Sequence, residues 1–161
     1  HVVAVVALLA GVDDPVAAYR ALLEQNNTIY EAHINLALLL DQAGKQNEAG
    51  EQFEKALALR PDDVQTELNV ATFYLRGKEP DKAYPHLLHL VEKGSASVDV
   101  YLALSDIEQV RKNTPKAREY LEKVLQLDPK NTKVLRQFAA AYLEEKNYQK
   151  AIPILEQLHQ L

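Results

Sequence analysis

From Val64 onward the chain alternates apolar stripes with short polar breaks. Leu68, Val70, Ala71 and Tyr74 recur at near-helical spacing, the signature of one buried helix face. Arg76-Gly77-Lys78-Glu79-Pro80 then interrupts the pattern, with glycine near a helix end and proline at the next start. Ala83, Leu87, Leu88, Leu90 and Val91 build a second stripe, which Lys93-Gly94-Ser95 closes. Strands would show period-two alternation, and none is present. The stretch predicts two helices joined by a tight turn.

The same pattern recurs along the chain. Ala49, Ala83, Ala117 and Ala151 follow one another with a constant period of 34, and Phe53, Leu87, Leu121 and Leu155 keep the same period. Phe53-Glu54-Lys55-Ala56-Leu57-Ala58-Leu59-Arg60-Pro61-Asp62 is matched by Leu121-Glu122-Lys123-Val124-Leu125-Gln126-Leu127-Asp128-Pro129-Lys130. Pro85 and Pro153 share an A-x-P-x-L motif and stand two periods apart. Each predicted helix pair is apolar on more than one side, so neighbouring pairs must stack to cover one another. The alanines let the two helices of a pair approach closely, and the larger residues four positions on fill the space between pairs. The fold class expected is all-α.

Composition narrows the picture. The 161 residues are 47% apolar and 25% charged, ordinary for a globular domain, and five glycines are few. The net charge of −5 lacks the basic surplus of a nucleic-acid binder. Residues 1–63 hold ten Asp/Glu against four Lys/Arg, and residues 98–161 hold nine against ten. With no cysteine, disulfides, thiolate chemistry and Cys-ligated zinc are excluded. The compartment stays open between cytoplasm and bacterial periplasm. Methionine is absent too, so His1 is not expected to be a natural start. The apolar run His1–Ala10 is shorter than the roughly 20 residues of a membrane span. It reads either as the stump of a signal or membrane segment, or as the remains of a first helix.

With Tyr30 as position 1, the first full unit places Leu36 at 7, Ala37 at 8, Leu40 at 11, Gly44 at 15, Ala49 at 20, Phe53 at 24, Ala56 at 27 and Pro61 at 32. Units starting at Val64, Val98 and Thr132 repeat this register without insertion or deletion. This resembles the tetratricopeptide repeat (TPR) family. The resemblance implies a right-handed α-solenoid of stacked antiparallel helix pairs, a single array over residues 1–161. A partial repeat would span 1–29, full repeats 30–63, 64–97 and 98–131, and a last repeat lacking its end 132–161. Extended backwards, the register makes Asp14–Gln25 a second helix and places Val2, Val3 and Val6 in a first one. Departures are His33, Glu67, Tyr101 and Leu135 at position 4, where the family often has Trp, Ser95 for the unit-ending proline, and Glu108 at position 11.

In this family the first helix of each pair lines a concave face. The resemblance places there Ile34, Asn35 and Leu38, then Gln65, Leu68, Asn69 and Thr72, then Asp99, Leu102 and Asp106, then Lys133, Arg136 and Gln137, with Glu31, Asp41 and Arg76 beside them. Leucines mixed with hydrogen-bonding side chains suit an extended peptide or an amphipathic helix. Asn35 and Asn69 share position 6 and could bond a ligand backbone, but Ala103 breaks the row and Gln137 only resembles it. The carboxylate clamp of chaperone-binding repeats is not matched: with Asn69 as its middle residue, the other four positions hold Ile34, Leu38, Asp99 and Ala103.

Little suggests catalysis. No Gly-rich phosphate loop, no G-x-S-x-G and no Ser/His/Asp constellation occurs. His86 and His89 are three apart, a spacing that suits a metal, but no third ligand is evident and both read as surface histidines. His33 and Tyr101 read as packing. No cofactor and no metal are expected. The expected function is a protein-interaction scaffold whose partner is a segment of another protein. Two alternatives are assembly through uncapped terminal repeats, by self-association or on a larger parent protein, and a substrate-recruiting module of an enzyme. RNA binding of the pentatricopeptide kind is disfavoured by the acidic balance and the strict period. Pro85 and Pro153 fall at position 22, and a loosened or kinked first turn is expected at both.

Overall fold

A computed structural model of the chain describes residues 14–161. Val2, Val3 and Val6 lie outside the described residues. The described residues form helices α1 (Pro15–Gln25), α2 (Tyr30–Gln42), α3 (Gln46–Leu59), α4 (Val64–Arg76), α5 (Pro80–Glu92), α6 (Val98–Val110), α7 (Thr114–Leu127), α8 (Thr132–Glu144) and α9 (Tyr148–His159), with no strand among them. The helices α2, α4, α6 and α8 begin at Tyr30, Val64, Val98 and Thr132, the first residue of each repeat. Local chemistry fixes several starts. Asp14 accepts the Val16 amide at 2.9 Å ahead of Pro15, and Asp63 accepts the Gln65 amide at 3.1 Å. Asn131 accepts the Val134 amide at 3.2 Å. Such caps satisfy first-turn donors that the helix leaves free.

The turn inside each pair is the same device four times. Gly44, Lys78, Lys112 and Lys146, equivalent positions of successive repeats, have φ of +74°, +59°, +60° and +55°. The amide one residue further on reaches back into the helix: Lys45 to Leu40, Glu79 to Tyr74, Asn113 to Glu108 and Asn147 to Tyr142, all at 2.8–2.9 Å. This left-handed ending satisfies otherwise orphaned carbonyls. Glycine enters that conformation without strain, whereas the three lysines have a Cβ to accommodate.

The chain divides into two compact units, His1–Glu92 and Lys93–Leu161. The division falls at Lys93-Gly94-Ser95, where the unit-ending proline is missing. In unit 1, α2 pairs with α3 and α4 with α5, with α1 against α2 and α3 against α4. Its core joins Leu36 and Leu40, Phe53, Val70 and Phe73, and Leu87 and Leu90. Phe53 and Phe73 meet with ring centroids 5.0 Å apart. Gly50 permits this approach of α3 and α4, because a Cβ there would stand 3.2 Å from the Tyr74 hydroxyl. In unit 2, α6 pairs with α7 and α8 with α9, with α7 against α8. Its core cluster is Leu121, Val124, Val134 and Phe138, flanked by Val98, Tyr101, Leu102, Leu125, Tyr142 and Ile154.

The repeat alanines 49, 83, 117 and 151 are all buried, as close helix approach requires. Their larger partners Phe53, Leu87 and Leu121 are buried too, whereas Leu155 is 41% exposed. The two prolines behave differently from the expected loosened first turn. Both α5 and α9 run without interruption through the proline, which is the sixth residue of each. The first turns form normally, with the amides of Ala83 and Ala151 each 3.1 Å from the carbonyls of Glu79 and Asn147. Each proline lies beyond those amides and omits a single i→i−4 bond. Both prolines are exposed.

Candidate functional site

In unit 1 the candidate face is carried by α2 and α4, which are tied together at both ends. At the N-terminal end the Tyr30 hydroxyl donates to Asp63 at 2.7 Å and also meets the Thr66 hydroxyl. The Arg60 guanidinium lies 3.8 Å from the Tyr30 ring centroid and donates to Glu31 at 2.8 Å. The Tyr30 bond, with help from Thr66 and the Gln65 amide, holds the Asp63 carboxyl below the usual range despite its desolvation. At the C-terminal end Arg76 pairs with Asp41. Between these ties Leu38 is 44% exposed, and Gln65, Asn69 and Thr72 are exposed. Ile34, Asn35 and Leu68 are half-buried.

Several of these side chains are already engaged. Gln65 donates to the Asn69 side-chain amide oxygen at 3.0 Å, and Thr72 donates to the Leu68 backbone carbonyl at 2.8 Å. Asn35 stands beside the Tyr19 hydroxyl, which is buried without a partner at bonding geometry. Burial raises the Tyr19 phenol and the Asn35 amide works against that rise. Asn35 and Asn69 are thus not equivalent: one turns to a buried phenol, the other lies on the open face.

In unit 2 the candidate residues are more divided. Asp99, Asp106, Lys133 and Arg136 are exposed. Leu102 packs on the core cluster of the unit, so it is a structural residue as much as a surface one. Gln137 is half-buried, with its side-chain carbonyl oxygen lacking a partner.

The reading of His86 as a surface histidine is overturned. The ring is 13% exposed, and its Nδ1 is 2.7 Å from Glu67, itself 8% exposed. Nε2 is 3.2 Å from Glu54 of α3, and the ring stacks on Tyr74 at 5.7 Å. His89 Nδ1 is 2.9 Å from the second Glu67 oxygen. The reason lies in the register. Glu67 is at position 4 and His86 at position 23, which face each other across a pair. In the first repeat the same positions join His33 Nδ1 to Gln52 at 2.8 Å, and Nε2–H meets the Asn27 carbonyl at 3.0 Å. In the third they hold Tyr101 and Tyr120, with ring centroids 6.3 Å apart. The polar residues at position 4 were the available signal, since His33, Glu67 and Leu135 are buried there and Tyr101 partly so.

Sequence reasoning also missed a crevice of about 540 Å³ in unit 1, lined by Leu23, Asn27, His33, Leu36, Lys55 and Leu59 among others. It contains none of the predicted groove residues. Among the described residues no group of three His, Cys, Asp or Glu side chains is placed to hold a metal ion. No helix among them is long and apolar enough to cross a membrane.

The tetratricopeptide repeat profiles match residues 30–63 and 111–160. The chain is 27% identical over 139 residues to the protein O-mannosyl-transferase Tmtc3 of Drosophila melanogaster, covering 86% of this chain and 15% of that protein. It is 29% identical over 120 residues to the human protein O-mannosyl-transferase TMTC3, covering 74% of this chain and 13% of that protein. The chain therefore spans only a small part of the curated relatives it matches. Among solved structures, MamA (AMB-1) superposes with a TM-score of 0.71 at 20% identity, covering 91% of this chain and 80% of MamA. YrrB, described as a TPR protein with an unusual peptide-binding site, gives 0.62 at 21%, covering 89% of this chain and 74% of YrrB. These likenesses show a TPR-type helical fold. With helix starts, turns and alanines all repeating with a single period, the chain belongs to the tetratricopeptide repeat family.

Proposed function

We propose that the chain is a protein-interaction module and that the α2–α4 face of unit 1 receives an extended peptide or helix from a partner. The observation that supports this reading is the exposed Leu38, set on a helix whose opposite side is core, between the ionic ties at either end of the face. Around it Asn69, Gln65 and Thr72 offer hydrogen-bonding groups. An apolar anchor with polar fixation suits recognition of an extended chain or an amphipathic helix. No chemistry is required of the face. The relatives named as protein O-mannosyl-transferases suggest a sharper form, in which such a module presents a protein to a catalytic domain elsewhere in a longer polypeptide.

Leu38→Glu combined with photo-crosslinking from position 72 tests the reading. Because a buried leucine side chain contributes about 1.5–3 kcal/mol, partner capture should fall by roughly 10- to 100-fold with an unchanged melting temperature. Undiminished capture would sink the α2–α4 face. Leu102→Glu is a poor test, because that residue packs on the core of unit 2.

A second reading is association through α9. Leu155 is 41% exposed although its counterparts Phe53, Leu87 and Leu121 are buried, and Ile152 beside it is 53% exposed. Light scattering at rising concentration decides: a strict monomer that Leu155→Lys leaves unaltered removes self-association.

A further inference from the structure

His86 faces acceptors on both ring nitrogens. Nδ1 is 2.7 Å from Glu67 of α4, and Nε2 is 3.2 Å from Glu54 of α3. A carboxylate only accepts, so both contacts need an N–H, and only the imidazolium carries two. His33 in the preceding repeat makes an instructive contrast. Its Nε2–H meets a carbonyl, but its other partner is the Gln52 amide. An amide can turn to offer N–H to a neutral ring. Neither Glu54 nor Glu67 has that option. A neutral His86 would leave one ring lone pair against a carboxylate.

We propose that His86 is a proton-operated clasp, which as the imidazolium ties α5 to Glu67 of α4 and Glu54 of α3, and on losing its proton gives up one carboxylate and loosens α5. The surroundings agree. From α3 comes Glu54, with Glu51 and Lys55 in the same surface crevice. From α4 come Glu67 and Tyr74, whose hydroxyl donates to Glu54 at 3.0 Å. On α5 itself, His89 donates Nδ1–H to Glu67, for which a neutral ring suffices, and Lys82 stands 5.5 Å from the Tyr74 ring centroid while pairing with Glu79. Two carboxylates thus share one cation, and its loss leaves two negative charges together in a partly buried place. The Tyr74 ring stacked on His86 also favours the cationic form. Burial on its own would lower the His86 pKa, but the bonds to Glu54 and Glu67 outweigh it and raise it. The bond from His86 leads the causes that lower the Glu54 carboxyl.

The sign follows. A raised folded-state pKa gives a stabilisation that is fully present below the unfolded value of about 6.5 and is lost as pH rises through the folded value. The test is NMR titration of the 161-residue chain with nitrogen-15-labelled histidine, together with amide exchange across α5. Both His86 nitrogens should carry protons at pH 6, with a midpoint above the ordinary value of about 6.5. After correction for intrinsic rates, α5 amides should exchange several-fold faster above that midpoint than below it. Glu54→Gln, at a half-exposed residue that should leave folding intact, should move the midpoint down. His86→Gln, if it folds, should abolish the pH dependence of α5 exchange. A midpoint at or below the ordinary value, a single-proton tautomer at pH 6, a midpoint indifferent to Glu54→Gln, or α5 exchange equal on both sides of the midpoint would each overturn the clasp.

Discussion

In unit 1 the helix pairs meet through hydrogen-bonded side chains at positions 4 and 23: His33 with Gln52, and Glu67 with His86. In unit 2 the same positions carry Tyr101 with Tyr120, whose rings are in contact, and the apolar residues Leu135 and Ile154. Leu135 is buried and Ile154 packs on the core cluster. One backbone geometry therefore accepts two ways of closing. Leu135 and Ile154 gain from removing surface from water and have no side-chain bond to lose. The polar pairs hold only while every buried group keeps its partner, and they carry a dependence on protonation with them. The charge follows the same division. Residues 1–92 hold fourteen Asp/Glu and seven Lys/Arg, while residues 93–161 hold nine and eleven.

The comparison can be broken most severely at Glu67. Glu67→Ala removes the acceptor of two histidines, and breaking a buried charged pair from one side typically costs about 3–5 kcal/mol. Denaturant unfolding measures it. A loss below about 1 kcal/mol, the level of an ordinary surface pair, would mean that unit 1 does not depend on its polar closure. Leu135→Ala in unit 2 should cost about 3 kcal/mol through the cavity it leaves, and that loss should be the same at pH 6 and pH 8.5. A pH-dependent loss there would erase the contrast between the units.

Exchanging the chemistry sharpens the comparison. Glu67→Leu together with His86→Ile installs in unit 1 the residues that close the last pair of unit 2. Replacing both partners of a buried polar pair by apolar groups is often nearly neutral. The double variant should remain within about 1.5 kcal/mol of the parent, the usual range of a tolerated core swap. Its stability should no longer fall between pH 6 and pH 8.5. On the acid side, Asp63 works oppositely to His86. Its lowered pKa gives a stabilisation present above the unfolded value near 3.8 and lost as pH falls through the folded value. Asp63→Asn should flatten the decline of melting temperature below pH 4, and an unchanged acid limb would remove Asp63 from the account.

The smallest effect concerns the turns that the two units share. Lys78→Gly in unit 1 and Lys112→Gly in unit 2 relieve the same left-handed backbone. Each should stabilise by up to about 1 kcal/mol, read as a shift in the denaturation midpoint. Equal gains would show that the turns are indifferent to how the pair above them closes.

Much of this architecture is legible in the chain. The constant spacing of Ala49, Ala83, Ala117 and Ala151 places the close helix contacts, and those alanines are buried. The helix starts at Tyr30, Val64, Val98 and Thr132 coincide with the register. The prolines were less legible. Pro85 and Pro153 sit in the sixth position of unbroken helices, because an exposed ring that omits one bond does not outweigh a buried apolar face. The left-handed lysines were hidden as well, since only Gly44 of the four has the residue type that announces the conformation.

The sequence by itself determined the period, the helix pairs and the positions that must be small, because these follow from apolar spacing within a few residues of chain. Tertiary structure alone decided which polar side chains are buried and what they meet. Glu67 and His86 are well separated in the chain and lie on different helices. Nothing in the local pattern around either shows that they touch. Packing of α4 against α5 brings them together and excludes much of the water that would have weakened their bond. That desolvation, and the third helix that supplies Glu54, turns a histidine that reads as a surface residue into one held between two carboxylates.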